Sequence, residues 1–240
     1  MARPNSNSGK RAIPRDPFAS SRLKIGRAKH HFRDLQAEVT KFRDKKAYEI
    51  VIETDADTGY NIHRCRIERP SSDIALILGD CINNLRAALD HMSSWSGRLG
   101  RGGQAGLKKL FEQLKESLHG EFGRGNTNSW LLIRELCNSD KHEVDIKIIV
   151  SSPGIRLHKA HPKLLLVQNP YWADPQDEIE LFRSMGAKEP DCEVLLDVGL
   201  PGHPSIHGKS IISLVNHLIE NVEFFQNSFD EECLRIGILQ

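Results

Sequence analysis

The chain has 240 residues, 39% of them hydrophobic, which is enough for one large domain or two small ones. Its 33 basic and 32 acidic side chains leave a net charge of +1, so no global positive field grips nucleic acid, and any such contact must come from a local patch. No apolar run reaches the ~18 residues of a membrane span, and no signal-peptide core stands at the N-terminus. The five cysteines, Cys65, Cys81, Cys137, Cys192 and Cys233, are widely spaced with no CxxC pair. That spacing argues against a zinc knuckle or a disulfide framework and for buried, reduced thiols in a cytoplasmic protein.

Residues 1–16 are basic, lack an apolar pattern and read as a disordered lead-in. A first helix is expected from Phe18 to Lys45, where Ala28, Phe32, Leu35, Val39 and Phe42 form an apolar stripe. A hairpin follows, with Tyr48, Ile50 and Ile52 on one strand and Tyr60 to Ile67 on the other. Asp55-Ala-Asp-Thr-Gly59 supplies its turn. This turn is not a calcium loop, because the twelfth position from Asp55 is Arg66, where a bidentate Glu is needed.

Pro70-Ser-Ser-Asp73 sets up a central helix with Ser or Asp as its cap. The helix is read from Ile74 to Trp95. Gly97 to Gly106 reads as a flexible Gly-rich link, and its GRLGRGG has no Walker lysine followed by Ser or Thr. A short helix from Leu107 to Leu118 and another from Trp130 to His142 follow, the second introduced by the capping residues Asn126-Thr-Asn-Ser129. Beyond residue 142 the pattern changes to short strands: Asp145 to Val150, Lys163 to Gln168, Glu178 to Arg183 and Cys192 to Val198. Pro153, Pro170, Pro175, Pro190 and Pro201 serve as punctuation between them. A last helix is expected from Gly208 to Phe229. The expected fold is therefore α+β. A four-helix core drawn from 17–45, 73–142 and 208–229 carries β-rich segments 46–69 and 143–200 on one side, all within a single unit spanning 17–240.

The central helix is the most informative element. Ile74, Leu78, Cys81, Leu85, Ala88, Met92 and Trp95 keep one face apolar for about six turns. The half away from Leu85 carries Asp80, Asn83, Asn84, Arg86, Asp90 and His91. Lys and Glu, the usual solvated residues, are absent from that face, and the side chains present suit fixed hydrogen bonds. Arg offers a planar fork for phosphate, and His moves protons near neutral pH. Arg86 and His91 lie about 140° apart on the helix, so one chain cannot bring them close, whereas two copies related by a two-fold axis can share a cleft. A constellation of this kind is able to cleave RNA without a metal. One His takes the ribose 2′-hydroxyl proton, Arg stabilises the phosphorane, a His protonates the leaving oxygen, and a cyclic phosphate results.

Arg86-Ala-Ala-Leu-Asp-His91 resembles the R-x4–6-H signature of the HEPN (higher eukaryotes and prokaryotes nucleotide-binding) superfamily of helical bundles. The wider string from Leu78 to His91 is also similar to a G-D-x-x-x-N-L-R-x-A-L-D-H helix in a group of uncharacterised bacterial proteins, which carry a later N-x-x-K-H element. Here that element is Asn138-Ser-Asp-Lys-His142, a second candidate site element of Asn138, Asp140, Lys141 and His142, in which Lys141 and His142 would join Arg86 in a phosphate pocket. The resemblance implies a homodimeric, metal-independent ribonuclease or RNA-binding protein with Arg86 and His91 as its central residues.

Other readings of the same residues stay open. Arg86 and Asp90 at i, i+4 form a helix ion pair worth a few tenths of a kcal/mol, and the polar face then only fixes how helices dock. A non-catalytic nucleotide- or anion-binding pocket is a further alternative. Lys141 and His142 suit a helix C-terminus through the dipole alone. His203 and His207, and His158 and His161, lack the further ligands that a metal site needs. No cofactor and no metal are expected. Trp95 and Trp130 read as core residues, and His30 and His31 as partly solvated.

Overall fold

The computed structural model describes residues 16–46, 48–101, 105–117, 119–121, 126–142, 148–157, 164–166, 179–185, 192–201, 206 and 209–239. Residues 1–15 of the expected lead-in 1–16 lie outside them, as do His158, His161, His203 and His207 and part of the expected strand Asp145 to Val150.

The fold is α+β with a helical core. Helix α1 (Ala19–Asp44) buries its expected stripe together with Ser21 and Ile25. Strands β1 (Tyr48–Thr54) and β2 (Asn61–Ile67) form the hairpin, in the register Ile50 opposite Cys65. The turn between them is held by Asp55, whose carboxylate accepts the amides of Asp57 (2.9 Å) and Thr58 (3.1 Å), while Gly59 takes a φ of +69°, cheap only without a Cβ.

Helix α2 (Ser72–Arg101) starts where Ser71 Oγ accepts the Asp73 amide at 3.2 Å. It runs past Trp95 into the stretch expected to be a flexible link. The reason is packing: Ser96 is buried, its hydroxyl bonds back to the Ser93 carbonyl, and Arg98 lies over the Trp95 ring, 5.0 Å from the centroid. Helix α3 (Ala105–Ser117) follows. A small ribbon, β3 (His119–Glu121) with β4 (Asn126–Asn128), then precedes helix α4 (Ser129–His142). Asn126 to Asn128, read as capping residues, are thus strand.

Strand β5 (Ile149–Leu157) pairs antiparallel with β8 (Cys192–Gly199) and runs through Pro153 instead of stopping there. The register shifts between Ser151 and Gly154, a bulge that accommodates a residue with no amide to give the ladder. Strands β6 (Leu164–Leu166) and β7 (Ile179–Ser184) join the hairpin in a four-stranded antiparallel sheet of order β1-β2-β7-β6. Helix α5 (Ile211–Arg235) begins after Ser210, which bridges to Gly199, and extends six residues beyond Phe229 because Cys233 is buried. It ends at Gly237 (φ +74°), with the Ile238 amide bonded to the Cys233 carbonyl at 2.8 Å, a left-handed C-terminal cap.

Helix α2 is the hub of the helical layer, packing on α1, α3, α4 and α5. Of its residues, Ile74, Leu78, Ile82, Leu85, Leu89 and Met92 have no exposed surface. The four expected core helices are joined by α3 as a fifth, since Leu107 and Phe111 are buried and Phe111 packs edge-on to Trp130, Phe225 and Phe229. The β5–β8 ribbon is tied to this layer by Arg43 of α1 to Asp197 (2.6 Å), and the two sheets to each other by the Tyr48 hydroxyl of β1, which accepts the Val194 amide of β8 at 3.3 Å.

Candidate functional site

The polar residues of α2 do not form one solvated face. A helix at the centre of a bundle has neighbours on both sides, and the six candidates divide between two seams. Asn83, Asn84, Arg86 and His91 are all half-buried; Asp80 and Asp90 are exposed.

Asn83, Arg86 and Asp90 turn toward α4. Arg86 grips Asp90 side-on, with Nε donating to Oδ2 at 3.2 Å and Nη2 lying 3.1 Å from Oδ1. Its guanidinium carbon stands 5.5 Å from the centre of the Trp130 ring, a cation–π contact. Trp130 is held by the aromatic cluster, edge-on to Phe111 (5.5 Å) and tilted over Phe225 (6.2 Å). Arg86 Nη1 is buried and has no hydrogen-bond partner among the described residues. A buried N–H left without an acceptor costs about 1–3 kcal/mol. Three residues before Arg86, Asn83 Oδ1 accepts the Cys137 thiol at 2.9 Å. That bond brings the two sequence motifs side by side, because Asn138 directly follows Cys137. Asn138 is exposed, and Asn138–His142 is the last turn of α4. The side chains of Asp140, Lys141 and His142 lie outside the described residues.

Asn84 and His91 belong to the other seam, toward α1. Asn84 Nδ2 donates to the Asp80 carbonyl (2.8 Å), and its Oδ1 meets Lys24 Nζ of α1 at 3.5 Å. His91 is seven residues on and therefore on the same side of the helix. Among the described residues it makes no hydrogen bond or ion pair. Arg86 and His91 thus face different neighbours, and a single copy of the chain does not bring them together. Asp80 contributes its backbone, and its carboxylate faces solvent.

The remaining reactive groups are closed off. Cys81 donates its thiol to the Ala28 carbonyl at 3.3 Å. Burial first, and the Asp80 charge second, push its pKa up to about 12, so it is no nucleophile near neutral pH. All five cysteines are free thiols, four of them buried. His63 on β2 bonds Ser184 Oγ at 2.8 Å and stacks on Phe182. Both partners are buried, so this Ser–His pair meets no substrate. Among the described residues no group of three or more His, Cys, Asp or Glu side chains is placed to hold a metal ion, and no helix is long and apolar enough to cross a membrane.

Sequence reasoning missed Trp130 and Cys137 as the partners of Arg86 and Asn83. It also missed Lys24 on the opposite margin. The signal available for that margin was the heptad Asn84, His91, Arg98, which keeps one line along a helix with a drift of only ~20° per repeat. No family model, no curated protein and no solved structure matches the chain.

Proposed function

We propose that the chain is a cytoplasmic, HEPN-like RNA-binding protein that cleaves RNA without a metal, using two copies related by a two-fold axis. Arg86 of one copy and His91 of the other complete each site. The observation that carries this reading is the condition of Arg86. The side chain is 26% exposed, its Nη1 is buried without an acceptor among the described residues, and its other donors are lent to Asp90, which is 55% exposed. Asp90 occupies the fork as a phosphate does, and an incoming phosphate is able to displace it.

The chemistry follows from these two groups. The His91 imidazole takes the 2′-hydroxyl proton as O2′ attacks phosphorus. The phosphorus–O5′ bond breaks, and an imidazolium returns a proton to O5′. The products are a 2′,3′-cyclic phosphate and a free 5′-hydroxyl, and Arg86 meets the extra charge on the phosphorane. Asn83 and Asn84 line the two margins as hydrogen-bonding supports. The second element, Asn138 to His142, begins directly after Cys137, whose thiol meets Asn83.

A second reading has its own support. The Asp90 pair and the Trp130 contact are also what a docking residue makes, and on that reading Arg86 only fixes α4 on α2. A nucleotide- or anion-binding pocket without turnover stands between the two.

The test is cleavage of a labelled RNA in excess EDTA by the wild type and by Arg86→Ala and His91→Ala, with thermal melts alongside. The proposal expects wild-type activity to survive EDTA and both variants to lose at least 100-fold, consistent with loss of a general base or an oxyanion ligand. Thermal stabilisation by RNA without turnover selects the binding module. A large loss of stability on Arg86→Ala, with no effect of any ligand, selects the docking reading.

A further inference from the structure

We propose that the Trp95 ring is a stacking platform for one RNA base, that of the nucleotide whose 2′-hydroxyl meets His91. The inference rests on RNA being the ligand, but neither sequence motif reaches Trp95. It starts from the unequal reach of two helices. Helices α1 and α2 run antiparallel, since Cys81 meets the Ala28 carbonyl and Asn84 meets Lys24. Ala19, the first residue of α1, lies five residues before Lys24 and so stands level with Leu89, five residues after Asn84. Helix α2 continues to Arg101, so its last three turns project past α1 by roughly 18 Å at 1.5 Å per residue. Phe18, just ahead of α1, turns away to Phe229 of α5, 5.6 Å between ring centres.

His91, Trp95 and Arg98 stand on this projection. Their spacing of i, i+4 and i+7 keeps them on one side of the helix. His91 and Trp95 are half-buried, and Ser94 and Arg98 are exposed. Trp95 rests on the hydrophobic core, and the Arg98 guanidinium lies over its ring, 5.0 Å from the centroid. The pair formed by Arg86 and Trp130 is a useful contrast. There the ring is held by Phe111 and Phe225, and Asp90 holds the guanidinium. Trp95 has no second ring contact among the described residues, and no carboxylate fixes Arg98. The lid on this ring is one exposed, long-stemmed side chain.

A flat guanidinium on an indole occupies the place where a base lies when it stacks. The exchange favours the base. An exposed cation–π contact is worth about 2–5-fold in an equilibrium, and one stacked base about 5–150-fold. Displaced Arg98 stays one turn away and meets a neighbouring phosphate. The spacing to His91 fits as well. A base and its own 2′-hydroxyl are one sugar apart, and His91 lies one helical turn, ~5.4 Å, from Trp95. A purine covers more of the indole than a pyrimidine does, so the platform favours a purine. An apolar peptide side chain is a poorer occupant, because the neighbours of Trp95 on this surface are His91, Ser94 and Arg98, with no apolar rim.

The experiment titrates the wild type, Trp95→Phe and Trp95→Leu with a hexaadenylate carrying 2′-fluoro groups, which has no hydroxyl to attack phosphorus. Anisotropy of a labelled oligomer reads binding, and indole emission with the unlabelled oligomer reads stacking. The wild type should bind with quenching of its emission. Trp95→Phe keeps an aromatic face, so it should bind within about 3-fold of the wild type and lose most of the quenching. Trp95→Leu refills the space without a π-face and should bind about 5-fold more weakly or worse, the low end for one stacked base. A ribose–phosphate hexamer without bases should bind both the wild type and Trp95→Leu equally weakly, and hexauridylate should fall between. Wild-type-like binding by Trp95→Leu overturns the platform, as does equal affinity for the baseless hexamer. Quenching that survives in Trp95→Phe, or a wild type that does not bind, overturns it too. If Trp95→Leu does not fold, the quenching in Trp95→Phe and the baseless hexamer still decide. Cleavage is scored separately. Quenching at Trp95 in a chain that cleaves no RNA keeps the platform and ends the ribonuclease reading. Cleavage that needs Arg86 and His91, beside normal binding by Trp95→Leu, does the reverse.

Discussion

The two margins of α2 carry the same kinds of side chain and have opposite states. On the α4 side Arg86 is engaged by Asp90 and Trp130, and Asn83 by Cys137. On the α1 side Asn84 has a long contact to Lys24, and His91 has no polar partner among the described residues. The neighbour decides the difference. Helix α4 arrives with an aromatic cluster that fixes Trp130 against the guanidinium, whereas α1 offers that margin only a lysine, an arginine and His31. A polar stripe on a central helix is therefore two half-sites, each belonging to the seam it borders, and a ligand that needs both must come with a second copy or run around the helix.

Graded substitutions break or sharpen this contrast. Leu85→Ala removes a fully buried side chain beneath both margins, and urea denaturation should register a loss of about 3–5 kcal/mol. Trp130→Ala should cost about 3 kcal/mol, the low end for deleting a packed aromatic, and should act on the α4 margin alone. Arg86→Ala is expected to cost about 1 kcal/mol, most of it coupled to Trp130 in a double-mutant cycle. The Asp90 pair is half-exposed and worth only tenths. His91→Ala and Arg27→Ala should stay within about 0.5 kcal/mol. Equal costs for Arg86→Ala and His91→Ala would erase the distinction between the margins.

A smaller effect probes how well the seams are closed. Burial pushes the thiols of Cys65 and Cys81 up to about 12 and that of Cys233 up to about 11. With folded values raised above the ordinary 9.0, these thiols stay protonated as pH rises through 9. Their contribution to stability is lost only as pH climbs toward the folded values. Labelling with a disulfide reagent at pH 8 should therefore be fast at Cys192, which is half-buried, and slow at the other four until the chain unfolds. Fast labelling of Cys81 would show that the α1–α2 seam opens.

Much of the fold was legible because periodicity reports burial. The stripe from Ala28 to Phe42 and the run from Ile74 to Met92 are buried as their spacing requires. The hairpin followed from alternation and its turn from Asp55 to Gly59. What escaped was tertiary. Gly97 to Arg101 stayed helical because Trp95 and Ser96 pack. Pro153 sits inside β5 because a bulge spares its missing amide. Cys233 prolongs α5 because a core position waits for it. The candidate residues were legible as a list, and their division between two seams was not, since helical angles do not say which neighbour fills which side. The 140° between Arg86 and His91 was the clue, and it pointed to a second copy.

The central claim is that these two residues act across copies, and a mixing experiment tests it most directly. Arg86→Ala and His91→Ala chains are unfolded together, refolded as a mixture and assayed for RNA cleavage in EDTA. Each alone lacks one member in every site, while a mixed dimer has one site with both. The account predicts that the mixture recovers about a quarter of wild-type activity, since half the dimers are mixed and each has one working site of two. A mixture as inactive as its separate components, beside a wild type that cleaves, would contradict it.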